Sequence, residues 1–569
     1  MGDRTASISD VAPGALRSAA WLSGDDEVAL NHRAALRAAG LTPATGTGSA
    51  RAGRRPLIGI ACTASDLNRC DRGMSLLAAA VKRGVLAAGG LPLEFPVMSL
   101  SEDLMKPTAM LYRNLLAIEV EETLRSQPLD GVVALGNCDK SVPAYLMALA
   151  SADLPALIVT GGFRPVPVLD GVRLGSGTAL WQKFDERRAG RVSDADWERL
   201  EGCLGAGIGA CNTMGTAVTM AIMAEVLGFT LPGGAVIQSG DPAQAVLAEE
   251  AGRQIVSLVR SGSRPSSLLT PSGFERAMTV LAAVGGSTNA IIHLCAVAGR
   301  RGLSLPLSQF AAIAARTPVI ADIAPTGTGL MPDLAAAGGV PAVLDVLFSG
   351  AAAAWPLRSP ADPLTEVPAF TVVRGNIAPN GGVIKTAAAT RSLLRHTGPA
   401  VVFHSYDEMR RRVDDPDLDV TADSVLVLAG CGPVGAFMPE WGNIPIPRRL
   451  LREGVTDMVR ITDGRMSGTG YGTVILHVAP ESAVGGPLSR LRDGDVITLD
   501  AYAGTLSADV PDEVLAARDP VLPAFADRRG WPVLHRAHVL QAPDGCDYDF
   551  LRVTSQEQLR FVEPVIGRS

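Results

Sequence analysis

Aromatic residues make up only 4% of this 569-residue chain, and histidine occurs seven times. The first shortage leaves packing to glycine and small aliphatic side chains. With 61 glycines present, tight turns and close helix–sheet contacts are favoured. The histidines form no H-E-x-x-H or equivalent zinc pattern, and His535 and His538 read as surface or packing residues. A Gly-x-Ser-x-Gly elbow is absent and no histidine lies near Ser467 in sequence, so a hydrolase-type triad is not indicated. Basic residues are not in excess: the net charge is −7, which gives no footprint for nucleic acid. No apolar run is long enough to span a membrane, because the longest, about Thr216 to Val236, is broken by Glu225, Pro232 and glycines. Met1 to Ser23 lacks the apolar core of a secretory signal, so a cytoplasmic, reducing setting is expected. The eight cysteines then read as metal ligands or small core residues rather than disulfides.

The length calls for at least two domains. Residues 1–55 read as a helical arm, helical over Asp25 to Gly40, followed by a linker rich in Thr, Gly, Ala and Arg. Residues 56–365 read as α/β: strands at Leu57–Ala61, Leu91–Val97, Gly131–Leu135 and Ala156–Thr160 alternate with helices at Met74–Ala88, Thr108–Ser126 and Pro143–Ala152. That rhythm predicts a parallel sheet with helices on both faces, whose functional residues gather at the carboxyl ends of strands. Residues 366–569 change texture. Short strands at Ser424–Ala429, Met458–Ile461, Thr473–Val478, Asp495–Leu499 and Gly504–Ser507 predict a β-barrel or sandwich.

Cys138-Asp139-Lys140 ends the apolar Gly131–Leu135 run. A thiolate suits iron–sulfur or another soft metal and a carboxylate suits Mg²⁺ or Mn²⁺, so one loop offering both suggests two adjacent metal centres. Cys70 closes a loop after a strand, and Cys211 sits in a glycine-rich turn that feeds a helix, a setting that lowers a thiol pKa. Their spacing of about 70 residues matches no zinc-finger or ferredoxin pattern, and a buried core cysteine is the plainer reading of each alone. Glu102 and Glu440, alone, are loop acids. The Gly205-x-Gly207-x-Gly209 run follows the helical-looking Trp197–Glu201 and lacks a dinucleotide fingerprint's third glycine, which disfavours a Rossmann-type oxidoreductase. Ser467 lies among four glycines between Asp463 and Gly472, giving close backbone approach and an exposed hydroxyl.

Together these segments resemble the dihydroxyacid dehydratase/phosphogluconate dehydratase family, within it the sugar-acid (pentonate; D-xylonate/L-arabinonate type) branch. The resemblance runs from about Leu57 to Leu551. It is carried by Ser65-Asp66-Leu67-Asn68-x-Cys70, Cys138-Asp139-Lys140, Cys211-Asn212-Thr213-Met214-Gly215-Thr216, Gly286-Ser287-Thr288-Asn289, Gly375-Asn376-Ile377-Ala378-Pro379, Met438-Pro439-Glu440-Trp441-Gly442 and Arg465-Met466-Ser467-Gly468-Thr469. It implies a 2Fe–2S cluster, with 4Fe–4S as the alternative, held by Cys70, Cys138 and Cys211. It further implies Mg²⁺ bound by Glu102, Asp139, Glu440 and a carbamylated Lys140, with Ser467 as the base. The implied reaction dehydrates a 2,3-dihydroxy aldonate to a 2-keto-3-deoxy acid. The implied fold is an α/β domain with a parallel sheet plus a C-terminal β-barrel of the swivelling type, assembled as a homodimer or a dimer of dimers, with no nucleic-acid or membrane partner.

Where the chain departs from that pattern a changed substrate is expected. Asn137 replaces a usual Gly, Ser141-Val142 replace Thr-Thr, Val434–Phe437 is a residue short, and Cys62 and Arg69 stand where Asn or Gln and Pro are common. Asn137, Ser141 and Thr469 are the expected substrate contacts. The alternatives are a dihydroxyacid dehydratase of branched-chain amino-acid synthesis, or a non-catalytic iron–sulfur sensor or scaffold.

Overall fold

The computed structural model describes residues 15–40, 55–205, 207–441 and 444–553. The linker expected after residue 40 and Gly442 lie outside them. Two arm helices, α1 (Arg17–Leu22) and α2 (Glu27–Ala38), come first, the second capped by Asp26. Asp130 ties the arm to the body. Its carboxylate accepts from Ser18 N and Oγ at 2.9 and 2.6 Å and from Leu57 N at 2.7 Å.

Strands β1 (Leu57–Cys62), β2 (Leu91–Pro96), β3 (Gly131–Leu135) and β4 (Ala156–Val159) form a parallel sheet in the order β2-β1-β3-β4. The strands of this sheet alternate faces with period two. Ile58, Ile60, Val133, Leu135 and Val159 pack under α3 (Met74–Ala87) and α8 (Pro242–Ser261). Leu57, Ala61, Val132, Ala134 and Ile158 face the other way, toward α4 (Met110–Ser126) and α5 (Ser141–Ala152). Both faces are covered, which is why β1, β3 and β4 read as unbroken apolar runs. Gly84 of α3 and Gly252 of α8 let these helices touch: a Cβ on either would overlap the partner helix's backbone. Helix α6 (Thr178–Arg188) leans toward the second half of the chain, Arg188 donating to Ile446 O at 2.7 Å. Residues Asp194–Leu204 are helical, so the 205–209 glycines follow a helix and not a strand. The long apolar stretch resolves into α7 (Thr216–Val226), eleven residues buried all round. Among the described residues no helix is long and apolar enough to cross a membrane.

The second half closes an eight-stranded barrel. Its strands are β5 (Thr371–Gly375), β6 (Ala378–Ile384), β7 (Arg395–Phe403), β8 (Val425–Leu428), β9 (Arg460–Thr462), β10 (Val474–Ala479), β11 (Val496–Asp500) and β12 (Thr505–Ala508). They run β8-β9-β10-β6-β5-β12-β11-β7 around the barrel, with mixed parallel and antiparallel pairs. Side chains fill the interior, among them Val402, Val427, Ile461, Ile475, Ile497 and Leu506, as expected at this strand number. The sequence indicated five of these strands. It missed β5, β6 and β7, because β6 reads Ala-Pro-Asn-Gly-Gly-Val-Ile and β7 carries Gly398-Pro399, a composition that imitates turns. Gly381, at φ +102°, sits at a register break with β10, where a bulge needs that freedom.

Candidate functional site

The loops leaving β1, β2 and β3 carry Cys70, Glu102 and Cys138-Asp139-Lys140 to the carboxyl edge of the sheet. One buried acid, Asp71, binds these loops together. Its Oδ1 accepts Asn137 N at 2.8 Å, and its Oδ2 accepts Asn68 Nδ2 at 2.9 Å and the Ser99 and Ser141 hydroxyls at 3.4 Å. Burial pushes its carboxyl up to about 7 against the pull of those donors. Asn137 adds a second tie, its Nδ2 donating to Cys70 O at 3.2 Å and Gly162 O at 2.7 Å. The Asn137 amide and the Ser141 hydroxyl are thus committed to holding the loops, a role the sequence did not indicate for them.

Lys140 is fully buried at the N-terminus of α5, its Nζ 3.2 Å from Glu102, 3.5 Å from Glu440 and 3.9 Å from Asp139. Arg465, also fully buried, pairs with Glu102 at 2.7 Å and contacts Glu440, while its Nε donates to Met438 O at 2.7 Å. Glu102 and Glu440 therefore lie between two cations. Burial works to raise the Glu102 carboxyl, but Arg465 and Lys140 outweigh it and hold it at about 2. Asp139 goes the other way, pushed up to about 7 by burial and then by Glu440. Glu440 reaches the cluster on a two-residue parallel ladder, Glu440-Trp441 against Arg465-Met466. Phe437 and Met438 just before it take left-handed backbone, φ +64° and +54°, a strain of roughly 1–3 kcal/mol each that turns the chain into the cleft.

The three thiols gather beside this cluster. The Cys70 thiol, then burial, raises Cys138 well above 9. Burial pushes Cys211 up to about 12, opposed by Arg164, whose Nη2 lies 4.0 Å from Cys211 Sγ. The other five cysteines are free thiols, four of them buried.

Ser467 begins a turn just beyond the ladder. Its Oγ lies 2.9 Å from Thr469 Oγ1, which also accepts Trp181 Nε1 of α6 at 3.1 Å, and Thr469 O accepts Thr178 Oγ1 at 2.9 Å. Thr469 is buried and orients the serine within this chain of hydroxyls. Underneath, α9 (Asn289–Gly299) contributes Asn289, whose Nδ2 donates to Thr216 Oγ1 at 2.9 Å and Met466 O at 3.2 Å.

Cys70, Cys138, Cys211, Glu102, Asp139, Lys140 and Glu440 thus come together at the sheet edge, and Ser467 follows directly on the ladder that pairs Glu440 with Arg465. Asp71, Arg164 and Trp181 were missed. Nothing local marks them: Asp71 only adjoins Cys70, and the other two act on residues far along the chain. Arg465 lay inside a quoted motif without a role, although its ladder partner Glu440 had one.

Among the described residues, no three His, Cys, Asp or Glu side chains stand as a ready-made metal cage, since Lys140 and Arg465 engage the carboxylates. The donor chemistry nevertheless fits both groups. Three acids against two cations leave one negative charge, with Asp139 sharing only the more distant Lys140 at 3.9 Å, and hard oxygens of this kind suit Mg²⁺. Three neighbouring thiols suit iron.

The chain matches two family models, the N-terminal one of the dihydroxy-acid/6-phosphogluconate dehydratases over residues 55–353 and the C-terminal one over 357–546. It is 45% identical to a 6-deoxy-6-sulfo-D-gluconate dehydratase of Pseudomonas putida, covering 94% of this chain and 96% of that one. It is 43% identical to an L-arabonate dehydratase of Azospirillum brasilense, covering 94% and 97%. A dihydroxy-acid dehydratase of Moorella thermoacetica is 35% identical, covering 86% and 92%. With both models matched and relatives aligned along nearly their whole length, the chain belongs to the dihydroxy-acid/6-phosphogluconate dehydratase family.

Proposed function

We propose that this hydro-lyase dehydrates an aldonate, removing water across C2 and C3 to leave a 2-keto-3-deoxy acid. The dehydratase class comes with family membership; the aldonate is our reading. One observation carries it: the thiols of Cys70, Cys138 and Cys211 lie beside the carboxylates of Glu102, Asp139 and Glu440, and Ser467 directly follows the ladder that pairs Glu440 with Arg465. Support for a sugar acid over a branched-chain dihydroxy acid comes from the relatives named for sugar acids, at 43–45% identity against 35%.

Cys70, Cys138 and Cys211 would hold a 2Fe–2S cluster, and Glu102, Asp139, Glu440 and carbamylated Lys140 would hold Mg²⁺. When bound, these groups supply Lewis acidity for the departing C3 hydroxide and for the charge at the carboxylate end. The chain's own residues do the rest. Ser467 Oγ takes the C2 proton, and because a free serine is a weak base, the nearby cations must favour its alkoxide. Thr469 and Trp181 fix the direction of that oxygen. Arg465 holds Glu102 and Glu440 in place, and Asp71 keeps the Cys70 and Cys138 loops in register.

We further propose a substrate other than a plain pentonate, on the sequence departures at Cys62, Arg69, Asn137, Ser141-Val142 and Val434–Phe437, of which Asn137 and Ser141 would act by setting the loops. We assign residues 56–365 and 366–569 to the two domains, and a homodimer or dimer of dimers in the cytoplasm as the working form. Anaerobic purification with iron and sulfide analysis, then a keto-acid assay with Mg²⁺ on C4–C7 aldonates, tests the reading. Absence of a cluster defeats it. Plain pentonates as the best substrates defeat the substrate clause alone.

A further inference from the structure

Arg164 carries a full charge into the protein without an acidic partner. The residue is 3% exposed, and a guanidinium stays protonated when buried. Among the described residues it forms no ion pair, so the cost of removing it from water, several kcal/mol for an unpaired ion, is not met by a carboxylate. Two of its side-chain contacts are fixed: Nε donates to Ala210 O at 3.2 Å, and Nη2 lies 4.0 Å from Cys211 Sγ.

Its position is set by backbone. Arg164 N donates to Ala210 O at 2.8 Å and Ala210 N returns a bond to Gly162 O at 2.9 Å, while Phe163 is bridged on both sides, by Ala210 and by Gln238. Gly209, at φ +111°, leaves no room for a side chain, since a Cβ there would lie 2.9 Å from Arg164 N. The arginine and Cys211 are therefore held together by the path of the chain. The groups that raise its basicity are, in order, Cys211, Cys70, Asp103 and Cys138. Three of these four are the thiols of the proposed cluster site, and Asp103 is itself paired with Arg69 at 2.8 Å.

We propose that Arg164 is the built-in counter-ion of the three-thiolate site, a positioning residue that sets the reduction potential and retention of the iron–sulfur cluster. The inference rests on the cluster reading above. Three thiolates around an oxidised 2Fe–2S core carry one net negative charge, and one guanidinium balances it. Adding an electron doubles that charge, so the fixed cation stabilises the reduced form more than the oxidised one. An N–H pointing at sulfur acts in the same direction.

The test compares wild type, Arg164→Lys and Arg164→Met, all purified anaerobically. The cluster potential is read by spectroelectrochemical titration, and iron per chain after timed exposure to air. Arg164→Met is expected to lower the reduced-to-oxidised ratio at fixed potential about tenfold, about 59 mV for a one-electron couple, and to lose iron faster. Arg164→Lys, which keeps the charge but not the geometry, is expected to fall between and covers the case in which the methionine variant does not fold. Wild-type potential and iron retention in both variants overturn the proposal. So does an unchanged potential with a raised KM for aldonates bearing a second, distal anionic group, which would make Arg164 a substrate anchor. Wild-type protein that takes up no cluster defeats the cluster reading itself, whatever Arg164 does.

Discussion

Replacing Gly468 by alanine tests whether Ser467 is held by the packing beneath its turn. A Cβ at 468 would lie 2.6 Å from Thr216 N, 2.7 Å from Ser287 Oγ and 2.8 Å from Ser287 Cβ, where ordinary contact begins at 3.4 Å. About 0.8 Å must therefore be found, on the scale of the misplacements that matter in active sites. The neighbours are poorly placed to give it. Thr216 opens the buried helix α7, and Ser287 Oγ is fixed by Thr216 Oγ1 at 2.9 Å and by Asn289 N at 3.2 Å. The 467–469 turn, held by side-chain hydrogen bonds to Thr469 and not by a packed helix, moves instead, carrying Ser467 Oγ away from C2. A displacement near 1 Å costs about 100-fold in rate, about 2.7 kcal/mol on the barrier. Gly468 has no positive φ, so the effect comes from space and not from backbone strain. Gly202→Ala serves as the control: it lies in the Asp194–Leu204 helix with no atom within 4 Å of its Cβ, and alanine there should add about 1 kcal/mol of helix stability. The assay is anaerobic keto-acid release with saturating Mg²⁺, alongside iron content. Gly468→Ala should lose kcat with iron unchanged. If it turns over within threefold of wild type, the packing argument for Ser467 is wrong.

Ser467→Ala should keep iron and Mg²⁺ while losing roughly 10²–10⁴-fold in kcat; normal turnover would move the base elsewhere. Asp71→Ala strands Asn137 N in the interior at roughly 1–3 kcal/mol, while Asn68 Nδ2 keeps Leu100 O at 2.8 Å and Ser99 Oγ at 3.2 Å. It should lower the melting midpoint and the iron content together, and a variant that melts early yet keeps full iron would separate Asp71 from the cluster loops. Asp139, held up to about 7 against 3.8 for the ordinary side chain, binds its extra proton in the folded chain between those values, so folding loses stability as pH rises through them. Bound Mg²⁺ needs the ionised form, so its affinity should be full above about 7 and fall about tenfold per pH unit below. A flat calorimetric profile from pH 8 to 6 would remove Asp139 from the ligand set. Lys140→Arg should fold with the carboxylate pairs intact but bind Mg²⁺ no better than background; tight binding would dispose of a modified lysine.

Much of the first half could be read directly from the residues. The four sheet strands are short apolar runs bounded by helices of clear period, and because both faces are covered, periodicity and burial agree. The residues proposed to hold cluster and ion stand out in the sequence because Cys138, Asp139 and Lys140 are adjacent and the remaining motifs come in a fixed order. The barrel was harder. Its strands β5 to β7 include Pro379, Gly381, Gly382, Gly398 and Pro399, and closure of the barrel overrides the turn preference of those residues. Asp71, Arg164 and Trp181 could not be found locally either. Their partners, Asn137, Cys211 and Thr469, lie 66, 47 and 288 residues away, and the contacts exist only once the sheet edge, the 205–215 loop and the barrel meet.

The choice of lysine at 140 beside arginine at 465 follows from what each can become. Both are fully buried among Glu102, Asp139 and Glu440. A buried carboxylate without a cation is costly, and as the chain folds these two positive charges fill that need. The Mg²⁺ proposed for this site would have to displace at least one of them. Arg465 cannot yield, because its guanidinium does not deprotonate and its Nε is tied to Met438 O, so it remains the fixed clasp between Glu102 of the sheet edge and Glu440 of the ladder. Lys140 can yield. An amine that loses its proton and gains a carboxyl group changes from a competitor of the ion into a ligand, and the local charge moves from minus one to minus three. A second arginine at 140 would lock the carboxylates in their ion pairs. With lysine, the proposed site would be stable before the ion arrives and able to accept it afterwards.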